Sequence, residues 1–67
     1  MLKLKIPDMS CGHCAATIET AVKSVDPAAE VDVDLTTKVA VIATTAPADR
    51  VRSAIRDAGY DNQPTND

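Results

Sequence analysis

The stretch Leu2-Lys3-Leu4-Lys5-Ile6-Pro7-Asp8-Met9-Ser10-Cys11-Gly12-His13-Cys14 decides how this chain is read. Its first half alternates: Leu2, Leu4 and Ile6 against Lys3 and Lys5. A period of two describes a strand with one buried face. Pro7 and Asp8 end it, since proline cannot donate to a ladder and disfavours helix in the residue before it. A loop from Asp8 to Gly12 follows, with Ser10 as the expected N-cap of a helix. This junction holds both cysteines, the only histidine, one of two methionines and one of two glycines.

Beyond the junction, Ala15, Ile18, Ala21 (or Val22) and Val25 recur at helical spacing, with Glu19, Thr20 and Lys23 on the other face. The pattern predicts a helix from about Gly12 to Val25, closed by Asp26-Pro27. Val31, Val33 and Leu35 then alternate with Asp32 and Asp34 as a second strand. Thr36-Thr37 reads as a two-residue connection to a third strand, Lys38 to Thr44, central and covered on one face. Thr45-Ala46-Pro47 opens a second helix, with Thr45 or Ala46 at the cap and Pro47 in the first turn. Val51, Ala54, Ile55 and Ala58 form its apolar stripe, with Arg50, Arg52, Arg56 and Asp57 outside. Gly59 supplies its stop. Tyr60 to Gln63 is a short edge strand at most, and residues 64–67 read as a frayed tail.

Two helices on one face of an antiparallel sheet make an α+β sandwich of two layers. That topology puts the first loop and the end of the second helix at one edge, so Gly59-Tyr60 is expected near Cys11 and Cys14. At 67 residues the chain is one domain, residues 1–67. A domain of this size buries only ~60% of its unfolded surface. With Tyr60 the only aromatic, its core must come from Val, Ile, Leu and Ala.

Composition excludes several functions. A net charge of −3 argues against a nucleic-acid binder. No apolar run approaches the ~20 residues that cross a bilayer, so no membrane insertion is expected. The N-terminus lacks the pattern of a secretory signal, which predicts the cytosol. Thiols stay reduced there, and a lone CxxC reads as metal or redox chemistry. No triad or carboxylate pair is present, so an enzyme is not expected. Met1 and the polar end predict a free protein. Glu30, Asp32 and Asp34 read as a solvated strand face. Lys3, Lys5, Arg52 and Arg56 likewise read as solvated surface, with a docking patch for an acidic partner as the alternative.

Two thiolates are soft ligands suited to Cu(I), Zn(II) and other thiophilic ions. Cys14, in a first helical turn, lies near unpaired N–H groups that favour the thiolate. A structural zinc site generally needs four protein ligands. Two cysteines and one histidine fall short of that, whereas a thiolate pair is sufficient for Cu(I). A site with so few ligands is open to a partner's thiols, which points to transfer.

Met9-Ser10-Cys11-Gly12-His13-Cys14 resembles the MxCxxC loop of the heavy-metal-associated domain family. The family includes small cytosolic copper chaperones and N-terminal domains of copper-transporting P-type ATPases. The strand before the motif, the helix after it, the 32–41 hairpin and Ala54-Ile55-Arg56-Asp57-Ala58-Gly59-Tyr60 all fall in family order. The resemblance implies a ferredoxin-like βαββαβ fold, its last strand short or absent. It implies one Cu(I) held by Cys11 and Cys14 and passed by ligand exchange to a related domain, such as that of a copper-exporting ATPase. The protein is then a monomer, with a metal-bridged dimer as the alternative. Met9 matches a residue that packs beneath the loop, and Tyr60 one that shields the site. Asp8 stands where the family often has Gly, which implies a stiffer approach to the loop. Ser10, where zinc or cadmium domains often carry an acid, leans toward Cu(I). Zn(II) or Hg(II) remains an alternative cargo. His13 is expected to face solvent, with metal ligation as its alternative. Cys-Gly-His-Cys by itself also suits a thiol–disulfide oxidoreductase. The short chain, the absence of Trp and Phe, and Ser10 before Cys11 argue against that fold.

Overall fold

The structure is a computed structural model that describes residues 2–10 and 12–65. The elements follow the order β1 (Leu2–Lys5), α1 (Gly12–Val25), β2 (Glu30–Asp34), β3 (Val39–Ala43), α2 (Ala48–Asp57) and β4 (Gln63–Pro64). The strands form one antiparallel sheet in the order β2-β3-β1-β4. This is the expected ferredoxin-like βαββαβ sandwich, and its last strand is two residues long.

The register explains the two sheet faces. Leu2, Ile42 and Val31 lie opposite one another, as do Leu4, Ala40 and Val33. These apolar rows meet Ile18 and Val22 of α1 and Val51 and Ile55 of α2 in a single core. The other face carries Lys3-Val41-Asp32 and Lys5-Val39-Asp34, which leaves charged side chains on the face away from the helices. Each amphipathic helix therefore finds one apolar surface to cover.

Several local expectations are corrected. The β2–β3 connection is Leu35-Thr36-Thr37-Lys38, not two residues. Asp34 Oδ1 accepts from the N–H groups of Thr36 (2.9 Å) and Thr37 (3.2 Å), so an aspartate side chain shapes the turn. Leu35 consequently leaves the strand and is 37% exposed. At α2 the capping position belongs to Pro47, with no side-chain cap. Its carbonyl accepts from Arg50 N (3.1 Å) and Val51 N (3.3 Å). Thr44 acts one step earlier: its Oγ1 accepts from Ala46 N and donates to Asp26 Oδ2. With Gly12 the first residue of α1, Ser10 stands just outside the cap position. Pro64 and Thr65, expected in a frayed tail, join the sheet edge. Pro64 lies opposite Leu4, and Thr65 N donates to Lys3 O at 3.0 Å. An edge strand tolerates proline because its missing N–H is not needed there. Asn66 and Asp67 lie outside the described residues.

Candidate metal centre

The topology gathers three connecting segments at one end of the sheet. Lys5 lies opposite both Val39 and Gln63, so the end of β1 meets the starts of β3 and β4. The β1–α1 loop, the β2–β3 turn and the segment after α2 therefore share that end. The loop leaves the sheet through a hydrogen-bonded turn, in which Met9 N donates to Ile6 O at 3.1 Å across Pro7-Asp8. Proline sits at the second turn position, where its fixed φ is suitable. Among the described residues only Lys38 and Gly59 have positive φ. Asp8 thus occupies a conformation open to any residue, and glycine is not required there.

Met9 is 0% exposed and belongs to the core. Its side chain anchors the loop from below, as the resemblance implied. Ser10, Gly12 and His13 are exposed. Cys14 is half-buried in the first turn of α1 and packs against the core. That turn contains no acidic residue, so the positive end of the helix faces the loop without a compensating side chain. Cys11, the other expected ligand, lies outside the described residues. His13 lines a surface groove between the helices with Thr17, Asp57 and Ala58, and its carbonyl accepts from Thr17 Oγ1 (3.1 Å). Among the described residues no three His, Cys, Asp or Glu side chains come together.

Tyr60 reaches the same end through the close of α2. Gly59 takes φ 101° and its N–H donates to Arg56 O (2.9 Å), while Tyr60 N donates to Ile55 O (3.2 Å). This pairing of the last carbonyls turns the chain sharply off the helix. Tyr60 is then half-buried against the core that also receives Cys14. The register thus brings the segment that carries Tyr60 to the end of the sheet that the first loop leaves.

Three residues here were not singled out for these contacts in the sequence. Arg52, read as solvated surface, instead donates through Nε to Asn62 Oδ1 (3.0 Å) and through a terminal nitrogen to Asn62 O (3.2 Å). Asn62 is 4% exposed and its amide donates back to Arg52 O (3.1 Å) and Tyr60 O (3.3 Å). A buried amide satisfied in this way replaces the apolar alternation that the last strand lacks. Lys38 Nζ donates to the Met9 carbonyl at 3.2 Å. No sequence pattern marks that contact.

A ferredoxin-like sandwich with a CxxC stretch opening its first helix has the architecture of a small metal-binding domain. Residues 3–61 match the heavy-metal-associated domain, and the chain belongs to that family. Copper chaperone CopZ of Staphylococcus aureus (strain JH9) is 34% identical, over 87% of this chain and 90% of CopZ. Copper-transporting ATPase 2 of Rhizobium meliloti (strain 1021) is 35% identical over 94% of this chain. The chain spans only 8% of that ATPase. A solved structure of copper chaperone Atx1 from Synechocystis PCC6803 superimposes with a TM-score of 0.91 at 35% identity, covering 94% of this chain and all of Atx1.

Proposed function

We propose that this chain is a copper(I) chaperone that holds one Cu(I) between Cys11 and Cys14 and passes it on by ligand exchange. The placement of the loop carries the reading. Met9 is locked in the core, its neighbours Ser10, Gly12 and His13 face outward, and Cys14 sits half-buried in the first turn of α1. A stiff floor under an exposed rim suits a cargo that must enter and leave. The copper chaperones and copper-transporting ATPase among its relatives support copper as cargo and an ATPase metal-binding domain as partner.

Thiolates select soft ions, and two of them satisfy Cu(I) without closing its coordination sphere. A partner thiolate adds to the ion, one thiolate of this chain leaves, and a second exchange completes the transfer. Copper stays Cu(I) throughout, and no covalent bond of a substrate is made or broken, so the role is not enzymatic. The proposal treats the 67 residues as one domain working as a monomer in the cytosol, where thiols stay reduced. Among the described residues no helix is long and apolar enough to cross a membrane.

The test is titration of the reduced protein with Cu(I) against a chromophoric chelator, repeated on Cys11→Ser and Cys14→Ser. Each substitution should weaken binding beyond the ~100-fold seen when groups outside the ligand shell are changed. Unchanged binding in either variant would sink the two-thiolate site. Size-exclusion chromatography of the loaded protein separates a monomer from a metal-bridged dimer.

A further inference from the structure

Lys38 stands just before β3 in the left-handed region, with φ 62°. That conformation is strained for an L-residue, and glycine adopts it freely. Contacts on both sides hold it there. Ile6 N donates to the Lys38 carbonyl at 2.8 Å, Lys5 Nζ donates to Thr37 O at 2.6 Å, and Asp34 shapes the turn before it. From this backbone the half-buried Lys38 side chain reaches across to the first loop, where Nζ donates to the Met9 carbonyl at 3.2 Å. Met9 has little room to move, because its side chain is 0% exposed and its N–H is bonded to Ile6 O.

We infer that Lys38 is a positioning residue for the metal loop: its ammonium ties the Met9 carbonyl and fixes a positive charge on the approach to the thiols. The inference rests on the two-thiolate Cu(I) reading. In that reading the loaded site is anionic, since two thiolate charges outweigh one Cu(I) charge. Met9 precedes Cys11 by two residues, which span at most ~7 Å of chain. That reach is comparable to the ~8 Å over which charges interact at physiological salt. The ammonium therefore stabilises the loaded loop more than the empty, protonated one. It also restrains the backbone at Met9, two residues before the first thiol in sequence.

The test measures Cu(I) affinity by chelator competition on the full chain, with thermal midpoints, for Lys38→Met, Lys38→Gly and Lys38→Arg. Removing an outer partner of a metal site commonly costs 10–100-fold in affinity, and a half-buried ammonium belongs at the low end, about ten-fold. Lys38→Met and Lys38→Gly should both show that loss. Lys38→Gly relieves the positive φ, so its midpoint should not fall with its affinity. Lys38→Arg keeps charge and donors and should return most of the affinity. Added salt should weaken wild-type binding more than Lys38→Met binding. Affinity of Lys38→Met within about two-fold of wild type overturns the inference. Loss in Lys38→Arg equal to that in Lys38→Met also overturns it. Cys11→Ser and Cys14→Ser run alongside keep the two failures apart. If they bind normally, the two-thiolate reading falls. If they lose Cu(I) while Lys38→Met does not, only the role of Lys38 falls.

Discussion

The chain contains two strand–helix–strand halves, β1-α1-β2 and β3-α2-β4, and they treat the passage from strand to helix differently. In the second half that passage, residues 44–47, is tied down by polar groups. Thr44 Oγ1 donates to Asp26 Oδ2 at 2.7 Å and accepts from Ala46 N at 3.0 Å, and Pro47 opens the helix. In the first half the described part of the passage, residues 6–10, is held by a buried methionine below and a lysine from another turn beside it. Ser10 in this passage and Gly12 and His13 at the start of α1 are exposed. The same local topology thus makes a structural corner at one end and a presented loop at the other. The difference lies in where the restraints attach. Side-chain hydrogen bonds tie the second passage to its own corner, whereas the buried Met9 and the Lys38 bond to its carbonyl restrain the first and leave its rim exposed.

The sharpest way to break this contrast is to compare Cys14→Ser with Thr44→Val. The first should abolish tight Cu(I) binding with little change in thermal midpoint. The second should lower the midpoint and leave the affinity intact. Next in size is Met9. Met9→Ala should destabilise the fold by roughly 2–5 kcal/mol in urea denaturation, the range for emptying a core site. Met9→Leu should cost under about 1.5 kcal/mol and keep Cu(I) affinity. A large affinity loss in Met9→Leu would make the thioether a ligand and not a floor.

A smaller effect belongs to the segment that delivers Tyr60. Asn62→Ala removes the side-chain bonds of its exchange with Arg52, leaving only the one to the Asn62 carbonyl, and should cost about 1–3 kcal/mol, read by denaturant midpoint. Acid titration probes the opposite corner. Hydrogen bonds from Thr44 and then from Ala28 N hold the Asp26 carboxyl below the usual carboxylate range. A depressed folded-state pKa means this contribution is present above about pH 4 and is lost as pH falls through the folded value. Asp26→Asn should therefore flatten the acid side of the stability profile without touching metal binding. The smallest change is expected at His13, which is exposed on α1. His13→Ala should leave Cu(I) affinity within about two-fold while weakening any Zn(II) binding, measured in the same competition format.

Much of the architecture was legible in residue spacing. The bounds of α1, Gly12–Val25, agree with its apolar period and with Asp26-Pro27 as the stop. Gly59 marked the end of α2 because only a residue without Cβ turns there readily. The CxxC loop was legible as candidate ligand chemistry only with its context, since Met9 and Ser10 before Cys11 and the strand–helix order around it weighed against disulfide exchange. Lys38, Arg52 and Asn62 were not. Each looks like ordinary polar surface in a linear pattern, and each meets a partner at least ten residues away. The four-residue turn was missed for a related reason. Its shape depends on the Asp34 side chain, a local preference that leaves the turn length open, and on a left-handed lysine, which no local preference predicts.

Sequence alone determined the element order, the sheet face that would be apolar and the residues with ligand chemistry. These depend on periodicity, on proline and glycine backbone limits and on side-chain softness, all properties of residues near one another in the chain. Tertiary structure decided how the loop is held: Met9 in the core, Lys38 on its carbonyl, and the Arg52–Asn62 exchange behind Tyr60. Those contacts join segments that are distant in sequence. They form only when burial of the common core brings β1, the β2–β3 turn and the end of α2 to one edge, where partners with no local signal come within hydrogen-bond reach.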